Sequence, residues 1–117
     1  MWHSYFSAGI DNNNSIIAKV SADKNSPWFS GHFPNDPILP AIAQLNIVTE
    51  TIAKVLDKDL SLKTLTRIKF KKIIRPGNIL DIHAVPGKKE NHYHFRITSK
   101  QQEVCSGRLV LAPKKEH

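Results

Sequence analysis

Disulfides are excluded at once, because the 117-residue chain has a single cysteine, Cys105, and one thiol cannot close an internal bridge. Cys105 lies in the alternating stretch VCSGRLVLA, beside no clear activating group, and reads as a sheet or core residue. Long apolar runs are missing too. None approaches the roughly 18 residues that span a bilayer, so no membrane helix is expected. The opening MWHSYFSAGIDNNN has neither a basic start nor a continuous apolar region and does not read as a signal peptide, which makes a cytoplasmic location the expectation. Acidic residues are scarce, 10 Asp and Glu against 17 Lys and Arg, for a formal charge of +7. That surplus steers an acidic partner toward the chain. Nucleic acid is a poor fit, since no helix-turn-helix, zinc-finger or Gly-rich loop signature appears and the basic residues are not interleaved with aromatics.

What the chain does contain is a histidine in a proline-punctuated loop that leads into an apolar helix, WFSGHFPNDPILPAIAQLNIVTE over residues 28–50. His32 is followed by Pro34, Pro37 and Pro40, whose rings restrict both their own φ and the preceding residue. Pro40 is expected in the first helical turn, leaving the amides of Ala41 and Ile42 without intrahelical acceptors. Such amides can stabilise an oxygen that becomes negative. From Ala41 to Leu56 the apolar Ile42, Leu45, Val48, Ile52 and Val55 recur at helical spacing, and Ala43, Ile47 and Ala53 widen the stripe. Lys54, Asp57, Lys58 and Asp59 mark the solvated end.

Elsewhere the pattern has a period of two. Strands are expected over 15–22, 65–73, 78–85, 93–98 and 103–112, with turns at 75–77 and 86–91 and Gly87 available for a left-handed conformation. The order is one strand, a loop, one long helix and four strands. This is an α+β chain with a mainly antiparallel sheet and the lone helix packed on its face, all in one domain over 1–117.

Three segments carry a family likeness: GHFPNDPILPAIAQLN at 31–46, RIKFKKIIRPGNIL at 67–80 and VCSGRLVLA at 104–112. Together, over about residues 15–112, they resemble the bacterial (3R)-hydroxyacyl-acyl carrier protein dehydratases of fatty-acid synthesis. The helix start is also similar to that of dehydratase-like subunits of aryl polyene synthesis. The resemblance implies a hotdog fold, an antiparallel sheet wrapped round one long helix and usually paired into a dimer. It implies no cofactor. It also implies that His32 removes a proton from C2 of a β-hydroxyacyl thioester, that the carbonyl of Ile38 orients this imidazole, and that Pro40 and Ala41 bring the helix-start amide to the thioester oxygen. A near-neutral imidazole is a usable base for that step.

Two positions depart from the family pattern. Ala41 stands where the family usually has glycine, which adds a methyl group but keeps the amide. Asn46 stands where a helix carboxylate of the other subunit would assist loss of the C3 hydroxyl, and an amide cannot give up a proton at neutral pH. Glu50 follows at i+4 on the same helical face, either as a displaced acid or as a rim hydrogen-bonding residue. Three functions therefore stay open: a dehydratase, a non-catalytic acyl-binding or heterodimer-partner subunit, and an acyl thioesterase with Glu50 activating water. Arg67, Lys69, Lys71, Lys72 and Arg75 form either a docking surface for acidic acyl carrier protein or a solvated face. His92 and His94 alternate along a strand without a third ligand and read as surface residues rather than a metal site.

Overall fold

Alternation of apolar and polar side chains becomes strand wherever one face can be buried, and the helix supplies the cover. The computed structural model describes residues 3–23 and 39–114. Its elements are β1 (His3–Ile10), β2 (Ile16–Ala22), α1 (Ala41–Leu56), β3 (Leu60–Phe70), β4 (Ile79–Pro86), β5 (His92–Ser99) and β6 (Gln102–Pro113). The strands form one six-stranded antiparallel sheet in the order β1-β2-β4-β5-β6-β3, the hotdog arrangement of a sheet around one helix. Ile16, Ala18 and Val20 of β2, Leu80, Ile82 and Ala84 of β4, Phe95 and Ile97 of β5, and Leu109 and Leu111 of β6 point inward and are buried. Against them lie Ala43, Ile47, Val48 and Ile52 of α1, and each fully buried Val, Leu or Ile side chain contributes about 1.5–3 kcal/mol. Among the described residues no helix is long and apolar enough to cross a membrane.

The helix has the expected bounds, but its start and its stripe differ in detail. Pro40 is the N-cap, with ψ at 156°, so the first helical residue is Ala41 rather than Pro40. Ile42, expected on the buried stripe, is 59% exposed, because the buried arc runs through Ala43, Gln44, Ile47, Val48 and Thr51 instead. At the other end Asp57 takes a left-handed conformation, and the Lys58 amide returns to the Ala53 carbonyl at 3.0 Å.

Three strand expectations need correction. β1 was not anticipated, since its inward positions are His3 and Tyr5 instead of aliphatic residues. β3 runs over Leu60–Phe70 and not 65–73. Past Phe70 the amides of Lys71 and Lys72 both reach the Val104 carbonyl, and the chain then turns so that Ile74 is buried and its carbonyl accepts from the Leu39 amide at 2.7 Å. Third, the left-handed residue in the turn before β5 is Asn91, with φ at 62°, not Gly87. Gly77 is the glycine that needs its freedom: it has φ at 84° in the Pro76–Gly77 turn closed by the Asn78 amide on the Arg75 carbonyl.

Candidate active site

Helix α1 starts under constraint. Leu39 donates its amide to Ile74, and its carbonyl accepts from Gln44 Nε2 at 3.2 Å, so the residue before the N-cap is held from both sides. The first amides bonded within the helix are those of Ala43 and Gln44, both to the Pro40 carbonyl. Ala41 and Ile42 precede them, with no helical carbonyl in reach. Both residues are exposed, as an amide offered to a bound oxygen requires. His32 and Ile38 lie outside the described residues.

One and two turns further along the same face stand Asn46 and Glu50. They line a cleft of about 370 Å³ with Ile42, Thr49, Leu60, Ser61, Leu62 and Lys114. The exposed Ile42 is thus an apolar wall of the cleft. Asn46 Nδ2 donates to Glu50 Oε1 at 3.3 Å, as i,i+4 spacing allows. Glu50 Oε2 lies 3.2 Å from Nε2 of His3, whose side chain is only 6% exposed. His3 Nε2 is also 3.3 Å from the Tyr5 hydroxyl, which lies 3.0 Å from Thr51 Oγ1, and Thr51 donates to the Ile47 carbonyl at 2.7 Å. A continuous polar chain therefore runs from the helix interior to the cleft.

Burial lowers the pKa of His3, with the carboxylates of Glu50 and Asp23 opposing that shift. Burial likewise raises the pKa of Tyr5. Lys54 Nζ lies 5.2 Å from the centroid of the Tyr5 ring and closes that side. His3, Tyr5 and Thr51 were not among the residues singled out from the sequence. His3 and Glu50 are far apart in the chain, and only the placement of β1 beside the helix brings them together.

The basic residues divide. Arg67 and Lys69 stand exposed on β3, and Lys72 and Arg75 lie exposed in the segment leading to β4. Lys71 is committed to Glu103, which also takes Arg96 at 2.8 Å. The Lys71 hydrogen bond first, and then the charges of Lys71 and Arg96, hold the Glu103 carboxyl below the usual range. His94 accepts from Arg108 Nε at 3.5 Å, and among the described residues no group of three or more His, Cys, Asp or Glu comes together.

With this geometry the comparisons with known proteins agree. A family model described as ApeI-like, ApeI dehydratase, matches residues 9–108. The chain belongs to the ApeI-like dehydratase family. A 3-hydroxyacyl-acyl-carrier-protein dehydratase FabZ of Rickettsia akari (strain Hartford) is 36% identical over 98 residues, covering 76% of this chain and 68% of that protein. The protein of the same description from Rickettsia rickettsii (strain Sheila Smith) is 37% identical with the same coverage. Among solved structures, the dehydratase heterocomplex ApeI:P from Xenorhabdus doucetiae superposes with a TM-score of 0.82 at 25% identity, covering 96% of this chain and 99% of that one. An uncharacterized protein from Erwinia carotovora subsp. atroseptica has the same fold, with a TM-score of 0.82 at 24% identity, covering 99% and 100% of the two chains. The dehydratase family thus accounts for the hotdog fold.

Proposed function

We propose that this chain binds 3-hydroxyacyl thioesters of acyl carrier protein and takes part in their dehydration, as a single domain working in a cytoplasmic dimer. In this reading His32, oriented by the Ile38 carbonyl, takes the C2 proton, and the Ala41 amide beyond Pro40 receives the charge that develops on the thioester oxygen. The C2–H electrons become the C2=C3 double bond. The C3–O bond breaks, the hydroxyl leaves with the bonding pair and gains a proton from water, and the hydroxide so formed takes the C2 proton back from His32, so that one water is the net product. Asn46, facing His32 of a second protomer, hydrogen-bonds the leaving group without supplying that proton. Arg67, Lys69, Lys71, Lys72 and Arg75 offer the acidic carrier its docking charge, and the pairing of Lys71 with Glu103 reduces the share of that residue. The observation that carries the reading is the cleft in which Asn46 and Glu50 stand one and two turns from the free helix-start amides.

A second reading is that the chain completes the site of a homologous dehydratase subunit. It is favoured by the solved neighbour, which is a dehydratase heterocomplex, and by the amide at position 46. One assay separates the two: a 3-hydroxyacyl carrier-protein substrate is given to the purified chain alone and then with a homologous dehydratase subunit. Enoyl product from the chain alone supports the first reading, and product only with the partner supports the second. Free carrier thiol without enoyl product sinks both in favour of hydrolysis.

A further inference from the structure

The directions of the hydrogen bonds behind the cleft follow from counting hydrogens. Thr51 has one hydroxyl hydrogen and gives it to the Ile47 carbonyl at 2.7 Å, so toward Tyr5 its oxygen can only accept. Tyr5 is then the donor in that 3.0 Å contact, and its oxygen is left only to accept from His3 Nε2 at 3.3 Å. The hydrogen of His3 must therefore sit on Nε2. That same N–H lies 3.2 Å from Glu50 Oε2. An ionised carboxylate only accepts, so at its other oxygen Asn46 must present Nδ2, at 3.3 Å. Once Nδ2 is committed to Glu50, Oδ1 of Asn46 is the acceptor left for a ligand in the cleft.

We propose that His3 is a positioning residue: through Glu50 it holds the Asn46 amide with Oδ1 toward the cleft, where it accepts a hydrogen bond from the 3-hydroxyl and so selects hydroxylated acyl chains. The proposal rests on the thioester-binding reading above and deepens it by assigning what recognises the hydroxyl. Glu50 acts in it as a fixed acceptor, not as an acid. His3 touches no substrate, and no bond is made or broken in this recognition. The groups around the His3 ring fit the role: Glu50 from α1, Tyr5 from its own strand, and the charge of Asp23 just after β2.

The test uses 3-hydroxyacyl pantetheine amides, which keep the acyl and pantetheine groups but resist hydrolysis, and their 3-deoxy counterparts of equal chain length. A neutral hydrogen bond of this kind gives the wild type about a 3–10-fold preference for the hydroxylated probe. His3→Leu should abolish that preference while leaving affinity for the 3-deoxy probe unchanged, and His3→Gln, which can still donate to Glu50, should restore part of it. Equal affinities in the wild type, or a full preference in His3→Leu, would overturn the proposal. Binding of neither probe by the wild type removes the thioester-binding reading itself, and the proposal with it. A direct readout does not depend on any variant folding: nitrogen-15 spectra of the neutral His3 ring should show the Nε2–H tautomer, and a dominant Nδ1–H tautomer refutes the hydrogen-bond directions.

Discussion

Replacing Asn46 by Asp puts a carboxylate where an amide now donates to Glu50 Oε1 across 3.3 Å. The favourable contact becomes a repulsion between two charges about 4 Å apart, which costs about 1 kcal/mol at the dielectric of water and about 4 kcal/mol at the effective value near a protein surface. Glu50 is half exposed, with 51% of its side chain accessible, so the lower part of that range applies, about 1–2 kcal/mol. Because each pKa unit is about 1.4 kcal/mol, the pair should hold one shared proton about a unit higher than an isolated carboxylate does. The folded state then binds more protons than the unfolded one. Stability lost to the substitution should be complete at pH 8 and recovered near about pH 3, below the ordinary carboxylate values. Thermal melts at the two pH values measure this, with several degrees lost only at the higher one, and Asn46→Asp combined with Glu50→Gln should remove the loss. The same shared proton is an acid in the cleft, and general acid catalysis typically supplies about 10²–10⁴-fold in dehydration rate. Equal melting shifts at both pH values would refute the carboxylate contact. The expected melting behaviour with no rise in rate would show that the missing acid is not what limits turnover.

Three other outcomes follow from the fold. His3, whose pKa is lowered by burial, binds a proton more readily in the unfolded chain, so its contribution to stability is fully present above the ordinary imidazole value. That contribution is lost as pH falls through the lowered value. Melts at constant ionic strength should show this dependence between about pH 7.5 and pH 5 in the wild type and less of it in His3→Gln; an unchanged profile would count against it. Gly107→Ala drives a Cβ into Ile68 Cδ1 and places it 3.2 Å from both the Ile68 Cα and Phe95 Cε1, and should cost about 1–3 kcal/mol in denaturant unfolding. Cys105, its thiol pushed up to about 12 chiefly by burial and then by the charge of Glu103, should resist iodoacetamide at pH 8 until the chain unfolds. Stoichiometric labelling of the native protein would contradict that burial.

The helix was legible from spacing alone, since its apolar repeat and its charged end were both present in the sequence, and its bounds agree with the structure. The end of β3 was not, although a trace of its geometry was visible. The apolar Leu65 and Ile68 are three apart where strict alternation requires two. In the structure Arg67 and Ile68 together oppose the single Gly107, with Arg67 left-handed at φ 55°, which is a β-bulge. β1 escaped notice because a strand that turns His3 and Tyr5 inward lacks the aliphatic alternation that marks the others. Asn46 and Glu50 could be paired from helical spacing. The partner of Glu50 could not, because it depends on which strand forms the sheet edge beside the helix.

That edge position ties the chemistry of the cleft to local opening. Among the described residues β1 pairs with β2 alone, and that pairing is interrupted between Tyr5 and Ser7, immediately after the residues that carry the polar chain. Edge segments open at lower free energy than central strands. Each time the first residues of β1 detach, Glu50 loses the His3 donor and Asn46 loses its enforced orientation, while the core between α1 and β2, β4, β5 and β6 stays closed. Amide exchange of the first turn-length of β1 therefore reports how often the cleft is disarmed, and a substrate that needs the ordered amide should slow that exchange without touching β1 at all.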